Sequence, residues 1–248
     1  MLRPIVALSL ALLSVLPAHA APEVHRVTWS LRLEGREVGQ RAATFTVERE
    51  GDDVRRSIEA HTKVAAAVGP VTWRYEQKLT ANGLVGPLAF RAVIVEDGAP
   101  REVQGRWAPS AWTIALADAR SLRTYEAAAH RVDLSTVDLL DPFAARTLGR
   151  FGTLKVLSAE TGEILEGTVE PLGAGTVRVG GRDVAVQGWA WTSSLGRSQF
   201  WYDGEGWLVR FETALLGRLV EGVLTEAPPA SPDAIVPPSQ AAVTAEDL

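Results

Sequence analysis

The sequence predicts a mainly β protein: a single strongly curved antiparallel sheet, a half-barrel or open barrel, with one short plug helix near residues 136–149. Three observations carry this. Extended runs with period-two hydrophobic alternation recur along most of the chain. The dipeptides Asn82-Gly83 and Asp97-Gly98 fall between consecutive runs. A single segment shows helical spacing, behind a cluster of capping residues. Asn-Gly and Asp-Gly tolerate positive φ and favour tight hairpin turns, and connections that short join antiparallel neighbours.

Residues 1–20 stand apart from the fold. Met1-Leu2-Arg3 carries one positive charge, Pro4 to Ala20 carries none, and Ala18-His19-Ala20 precedes Ala21-Pro22-Glu23. A basic start, an apolar middle and small residues at the end form the layout of a secretory signal peptide, cut between Ala20 and Ala21. The uncharged run is short for a hydrocarbon core of ~30 Å, and Pro4 and Pro17 shorten its helical part. No cysteine follows it, which excludes a lipidated amino terminus. The expected location is the periplasm, as a free, non-lipidated protein with no stable membrane insertion after cleavage.

The first strand reads from its faces: Val27, Trp29, Leu31 and Leu33 on one, Thr28, Ser30 and Arg32 on the other. Glu34-Gly35-Arg36-Glu37 turns the chain, Phe45 and Val47 resume the pattern, and Glu50-Gly51-Asp52-Asp53 turns it again. Further strands are expected over 54–65, 70–81, 84–96, 101–108 and 111–117. Val93-Ile94-Val95 is apolar on both faces, so part of the sheet is expected to be covered on both sides.

The helix follows Asp133-Leu134-Ser135-Thr136, with Asp138 three residues after Ser135 in a box-like capping arrangement. Val137, Leu139, Leu140, Phe143 and Ala144 recur at helical spacing. Pro142 requires the helix to start near Leu140 or to kink there. Strands resume over 153–158, 163–171, 175–180, 182–193, 197–203, 207–215 and 218–226. Five prolines then fall between Pro228 and Pro238 among Ala, Ser and acidic residues, which suits no sheet ladder. The expected organisation is a leader over 1–20, one antiparallel β domain over 21–226 and a disordered Pro/Ala-rich tail over 227–248.

Composition narrows the function. The chain has 25 basic and 30 acidic residues, a net charge of −5, and loss of Arg3 with the leader makes it more acidic. That balance offers no footprint for nucleic acid. Lys63, Lys78 and Lys155 are the only lysines, a bias best read as compositional. With no cysteine, stability must come from a core rather than from disulfides.

No catalytic motif stands out. His25, His61 and His130 are far apart in sequence, lack metal-ligand spacing and are expected on the surface or at edges. There is no Gly-x-Ser-x-Gly elbow, Ser-x-x-Lys pair or cysteine nucleophile. Gly173-Ala174-Gly175 lacks the third glycine of a dinucleotide fingerprint. Asp203-Gly204-Glu205-Gly206 starts like a calcium loop but places Ala214 where a bidentate carboxylate is needed. Asp138 with Asp141, and Asp52 with Asp53, sit where a helix start and a turn favour Asp locally. No cofactor and no metal site are expected.

What does stand out is aromatic. The chain has eight Trp against three Tyr. Trp189 and Trp191 precede the run Phe200-Trp201-Tyr202-Asp203-Gly204-Glu205-Gly206-Trp207-Leu208-Val209-Arg210-Phe211. A two-residue turn at Gly204-Glu205 would set Tyr202 opposite Trp207, Trp201 opposite Leu208 and Phe200 opposite Val209. Cross-strand aromatic packing explains such a hairpin. The same rings also suit an apolar pocket wall. The expected wall residues are Trp73, Tyr75, Trp189, Trp191, Tyr202, Trp207 and Phe211.

Three segments carry a resemblance: Leu33-Glu-Gly-Arg-Glu-Val-Gly39; Leu139-Leu-Asp-Pro-Phe143 with Leu157-Ser-Ala-Glu-Thr-Gly162; and Phe200 to Phe211. From Val24 to Thr225 the chain resembles a family of uncharacterised exported bacterial all-β proteins known only as a domain of unknown function. That family is similar in layout to the periplasmic lipoprotein-localisation chaperones, in which a curved sheet closed by a helical plug surrounds an apolar hollow. The resemblance implies a binding or carrier role and brings no catalytic residues with it. The expected function is a soluble periplasmic carrier of an apolar small molecule, lipid or acyl chain on the concave face, more binder than enzyme. The alternative is a non-catalytic envelope scaffold that holds a protein partner through a sheet edge or the carboxy-terminal tail.

Overall fold

The computed structural model describes residues 21–50, 53–64, 73–82, 86–96, 98–108, 110–127, 132–150, 152–215 and 218–226. The expected leader, its cleavage site at Ala20, the expected tail, Gly83 and Asp97 lie outside them.

Eight strands come first: β1 (Glu23–Leu33), β2 (Arg36–Glu50), β3 (Asp53–Val64), β4 (Trp73–Asn82), β5 (Gly86–Glu96), β6 (Ala99–Trp107), β7 (Trp112–Ala117) and β8 (Leu122–Ala127). Then come β9 (Leu134–Ser135), a 3-10 turn (Asp138–Leu140), helix α1 (Pro142–Leu148) and β10 (Thr153–Leu157). The chain continues through β11 (Ile164–Val179), β12 (Arg182–Ser193), β13 (Gly196–Tyr202), β14 (Leu208–Leu215) and β15 (Arg218–Leu224).

The fold is mainly β, as expected: a strongly curled, mostly antiparallel half-barrel with one short helix. Across the sheet the strands run β8 to β1 and then β15 to β9. Each half is therefore a sequential meander, and the antiparallel pairing of β1 with β15 joins them, Trp29 opposite Leu224. The β9–β10 pair is parallel. Parallel neighbours need a crossover connection, and the 3-10 turn with α1 supplies it.

Period-two alternation sets which face is buried. Val27, Trp29, Leu31 and Leu33 on β1 are all buried, as are Ile58 and Ala60 on β3 and Phe90, Ala92 and Ile94 on β5. The rings need floor space. Phe211 faces Gly222 across the β14–β15 pair, and a Cβ there would stand 2.2 Å from the ring. Only glycine lets that ring lie flat on the neighbouring strand. Curling brings the two ends of the sheet together through a turn rather than a ladder. In the turn after β10, Gly162 (φ 77°) leaves room for Ile114 and for the Tyr125 hydroxyl, which a Cβ would approach to 2.6 and 2.7 Å.

Several expectations change in detail. The helical segment is divided: Asp141 is extended (φ −85°, ψ 139°), because the residue before a proline disfavours the α region, so α1 starts at Pro142. Residues 163–171 and 175–180 are one strand, β11, with a bulge between Pro171 and Gly173 that absorbs Leu172 as the extra residue. β8 is an added strand. The turn after β13 is longer than two residues. Asp203 Oδ1 accepts N–H bonds from Glu205 (3.0 Å) and Trp207 (2.8 Å), and Gly206 sits at φ 93°. Phe200 therefore faces Phe211, Trp201 faces Arg210, and Tyr202 faces Leu208 across a bulge.

Strand direction gives the half-barrel two distinct ends. The turn residues 34–35, 98, 118–121, 158–163 and 194–195 gather at one end. Residues 108, 110–111, 180–181 and 203–207 gather at the other.

Candidate functional site

The end that carries the 203–207 turn is closed by the plug. Ser135 and Asp138 bind reciprocally: the Ser135 N–H donates to Asp138 Oδ2 (2.7 Å) and the Asp138 N–H donates to Ser135 Oγ (3.2 Å). This is the expected capping arrangement, and it fixes the entry into the 3-10 turn. Two bonds then tie the plug to the sheet. Arg56 on β3 donates from Nη1 to Asp141 Oδ2 at 2.5 Å, with the two side chains 8% and 5% exposed. Tyr202 on β13 donates its hydroxyl to the Leu139 carbonyl at 2.7 Å. Asp141 thus has a partner beyond the helix start.

The electrostatics of this end follow from burial. Asp138 is pushed up to about 6, chiefly by loss of water. Arg56 pulls the other way and Asp141 adds to the rise. Its Oδ2 is bonded while Oδ1 has no hydrogen-bond partner among the described residues. Burial also drives the Tyr202 phenol well above its ordinary value, with Asp141 and Asp138 contributing. Through Arg56–Asp141 and Tyr202–Leu139 the cluster fastens the plug to the sheet.

The other end is open. A cavity of about 300 Å³ lies between the plug and the concave face. Its floor is Leu139 and Leu140 from the 3-10 turn together with Ile94, Leu165, Trp191, Phe200, Leu208 and Phe211. Its mouth carries Arg41, Arg101, Glu96 and Glu160, several Ser and Thr residues, and Leu195, which is 60% exposed. An apolar lining with few, convergent polar groups is the general form of a small-molecule site, and about 300 Å³ is the small end of the usual range.

The wall residues expected from the sequence divide between the ends. Trp191 and Phe211 line the cavity. Trp189 and Tyr202 pack edge to face at 5.9 Å and belong to the plugged end. Trp207 lies there too, its ring against Phe45 (5.6 Å) and His25 (5.3 Å). His25 is thereby part-buried rather than a surface group, and its Nε2 bonds Glu23 Oε1 at 2.7 Å. Trp73 and Tyr75 pair in register with Val64 and Thr62 on β3, and their side chains lie outside the described ones. The sequence reading missed Arg41, Arg101, Leu139, Leu140, Phe200 and Leu208. Arg41 carried a usable signal, a charge at an inward position between Gly39 and Ala43. The helical spacing of Leu139 and Leu140 points to packing of the plug and not to a cavity floor.

Among the described residues no helix is long and apolar enough to cross a membrane. None of their His, Asp and Glu side chains form a group of three placed to hold a metal. In comparison with known proteins, no curated protein matches the chain. Residues 29–225 match the model of one family, the domain of unknown function DUF6134, and the chain belongs to that family.

Proposed function

We propose that this DUF6134 member is an exported carrier that holds an apolar ligand, a lipid or an acyl chain, in the concave face of its half-barrel in the periplasm. The observation that supports it most is the cavity itself: a largely apolar floor, a polar mouth, and a plug fastened at the opposite end. A wall of Leu, Trp and Phe excludes water and offers van der Waals surface along a hydrocarbon. The reading rests on the leader for its compartment.

The test is extraction of the natively purified protein followed by lipid mass spectrometry, with titration of an environment-sensitive fluorescent fatty acid. A co-purifying amphiphile and saturable fluorescence are expected. Absence of both overturns the reading.

A second reading, an envelope scaffold, is favoured by β8. That strand ends the sheet with Leu122 and Tyr125 exposed, and a bare edge is a template for another chain. A pull-down with the full chain and with a variant lacking 227–248 separates the two. Partners lost on deletion favour scaffolding through the tail, whereas ligand binding in the half-barrel survives it.

A further inference from the structure

The sheet has two ends, and they are finished differently. β9 is two residues long, both buried, and it lies beside β5 where the sheet has curled over. β8 is six residues long, and no described strand lies beyond it. It pairs with β7 in unbroken register, from Trp112 opposite Ala127 to Ala117 opposite Leu122. In an antiparallel ladder half of a strand's N–H and C=O groups point away from its neighbour, so β8 presents a row of them outward. Bulge, proline and lysine, which commonly blunt such an edge, are all missing from β8. Leu122 on it is 72% exposed.

The register also sorts the side chains. Arg123 and Tyr125 stand opposite Leu116 and Ile114, and Ile114 is buried, so both belong to the concave side. Leu122, Thr124 and Glu126 belong to the convex side. Tyr125 is seated on the turn after β10, where a Cβ on Gly162 would stand 2.7 Å from its hydroxyl. The acid nearest Arg123 is committed elsewhere. Asp118 is held below its ordinary value chiefly by bonds inside its own turn, from the Arg120 N–H (2.7 Å), the Ser121 N–H (2.8 Å) and the Ser121 hydroxyl (3.1 Å), and least by Arg123. Neither Arg123 nor Glu126 has a hydrogen bond or ion pair among the described residues.

Those two charges decide how β8 can meet its own copy. Identical strands paired antiparallel are related by a two-fold axis through the sheet, and facing residues must share a side. The axis therefore passes beside a residue that faces itself. Centred on Arg123 or on Glu126, it sets like charges directly opposite, which is unfavourable. Centred on Tyr125, it leaves Leu122 outside the described pairs. Centred on Thr124, it pairs every residue from Leu122 to Glu126. Arg123 then faces Tyr125 of the partner subunit, a cation beside an aromatic ring, and Leu122 enters the ladder opposite Glu126 of the partner subunit.

We propose that β8 is the contact of a homodimer, in which a second copy of this chain docks its own β8 antiparallel about an axis at Thr124. One sheet then runs through both molecules. Because the other end of the sheet is covered by the curl, assembly closes at two. The proposal takes the bare edge of the scaffold reading and names its occupant, and the cavity plays no part in it. An interface this narrow belongs to the weak class, so the dimer forms as concentration rises through the micromolar range.

The experiment is sedimentation velocity of the natively purified protein from micromolar to millimolar concentration, beside Thr124→Lys, with thermal melts of both. The mass should climb to twice that of the monomer and stop there. Thr124→Lys, which sets like charges on the axis at an exposed position, should stay monomeric and melt with the parent. The chain has no cysteine, so Thr124→Cys reads the register. Treated with diamide it should crosslink to a dimer, whereas Glu126→Cys, whose copies stand well apart along the strands, should not. A parent that is monomeric throughout overturns the inference and leaves the scaffold reading to its pull-down. A dimer that survives Thr124→Lys, growth beyond two copies, or a Thr124→Cys crosslink no better than that of Glu126→Cys overturns it as well.

Discussion

The two ends of the half-barrel use polar residues in opposite ways. At the closed end, Arg56, Asp141, Asp138 and Tyr202 are buried and bonded to the plug. At the open end, Arg41, Arg101, Ser198 and Thr213 sit over an apolar floor, within reach of solvent. Polar groups shut away from water pay heavily for any lost partner, and groups at a mouth exchange theirs for water. The closed end should therefore govern stability, and the open end should govern what enters.

The largest break in that contrast is Arg56→Met. It takes the Arg56 cation away from the buried Asp141, and stability should fall by about 3–5 kcal/mol in chemical denaturation. Adding Asp141→Asn should recover much of the loss. If Arg56→Met proves as stable as the parent, the ion pair does not fasten the plug.

Next in size is Asp138, which should act through pH. Its folded value of about 6 lies above its ordinary 3.8, so the folded protein holds this proton more tightly than the unfolded chain does. The stabilisation is complete below the ordinary value and disappears as pH rises through about 6. Asp138→Asn keeps an acceptor for the Ser135 N–H and carries no charge at any pH. At pH 7.5 it should exceed the parent by up to about 3 kcal/mol, and the two should converge near pH 4. A constant difference across that range would mean that Asp138 does not titrate there.

Tyr202→Phe removes one bond and leaves the Leu139 carbonyl buried without its donor. The expected cost is about 1–2 kcal/mol, read as a lower denaturation midpoint with an unchanged slope. Smallest is Ser198→Ala at the mouth, where a hydroxyl pair with Thr213 at 3.0 Å is only part-buried. Its expected cost is about 0.5 kcal/mol or less. A larger loss there would erase the distinction between the ends.

Much of this architecture is legible in the sequence. Strands expected over 84–96 and 111–117 match β5 and β7 to within two residues, because alternation and turn dipeptides are local signals. The Ser135–Asp138 box was readable for the same reason. β8 was not, since Leu122-Arg-Thr-Tyr-Glu-Ala127 lies at the sheet edge with Leu122 to Glu126 all exposed, and so carries no buried stripe to read. The Phe200–Phe211 register was misjudged because Asp203 builds a wider turn through its side chain, a contact that Gly204-Glu205 does not announce. The site was the least legible part. Trp191 and Phe211 stood out as large rings, but which rings face a hollow and which face a plug depends on strand direction over the whole sheet. Arg41 and Leu139 meet only after that sheet has curled.

The pairing of β1 with β15 carries a consequence for assembly. The Thr225 N–H and hydroxyl both donate to the Thr28 carbonyl, across 197 positions of sequence. A chain made amino end first can pair β1 with β2 at once, but the other side of β1 has no ladder until almost the whole domain has emerged. Contacts so distant in sequence close slowly, and a bare strand edge invites foreign pairing in the meantime. The last of the described strands thus completes the middle of the sheet rather than its rim. A chain truncated a few residues early would lose its central seam while keeping nearly all of its hairpins.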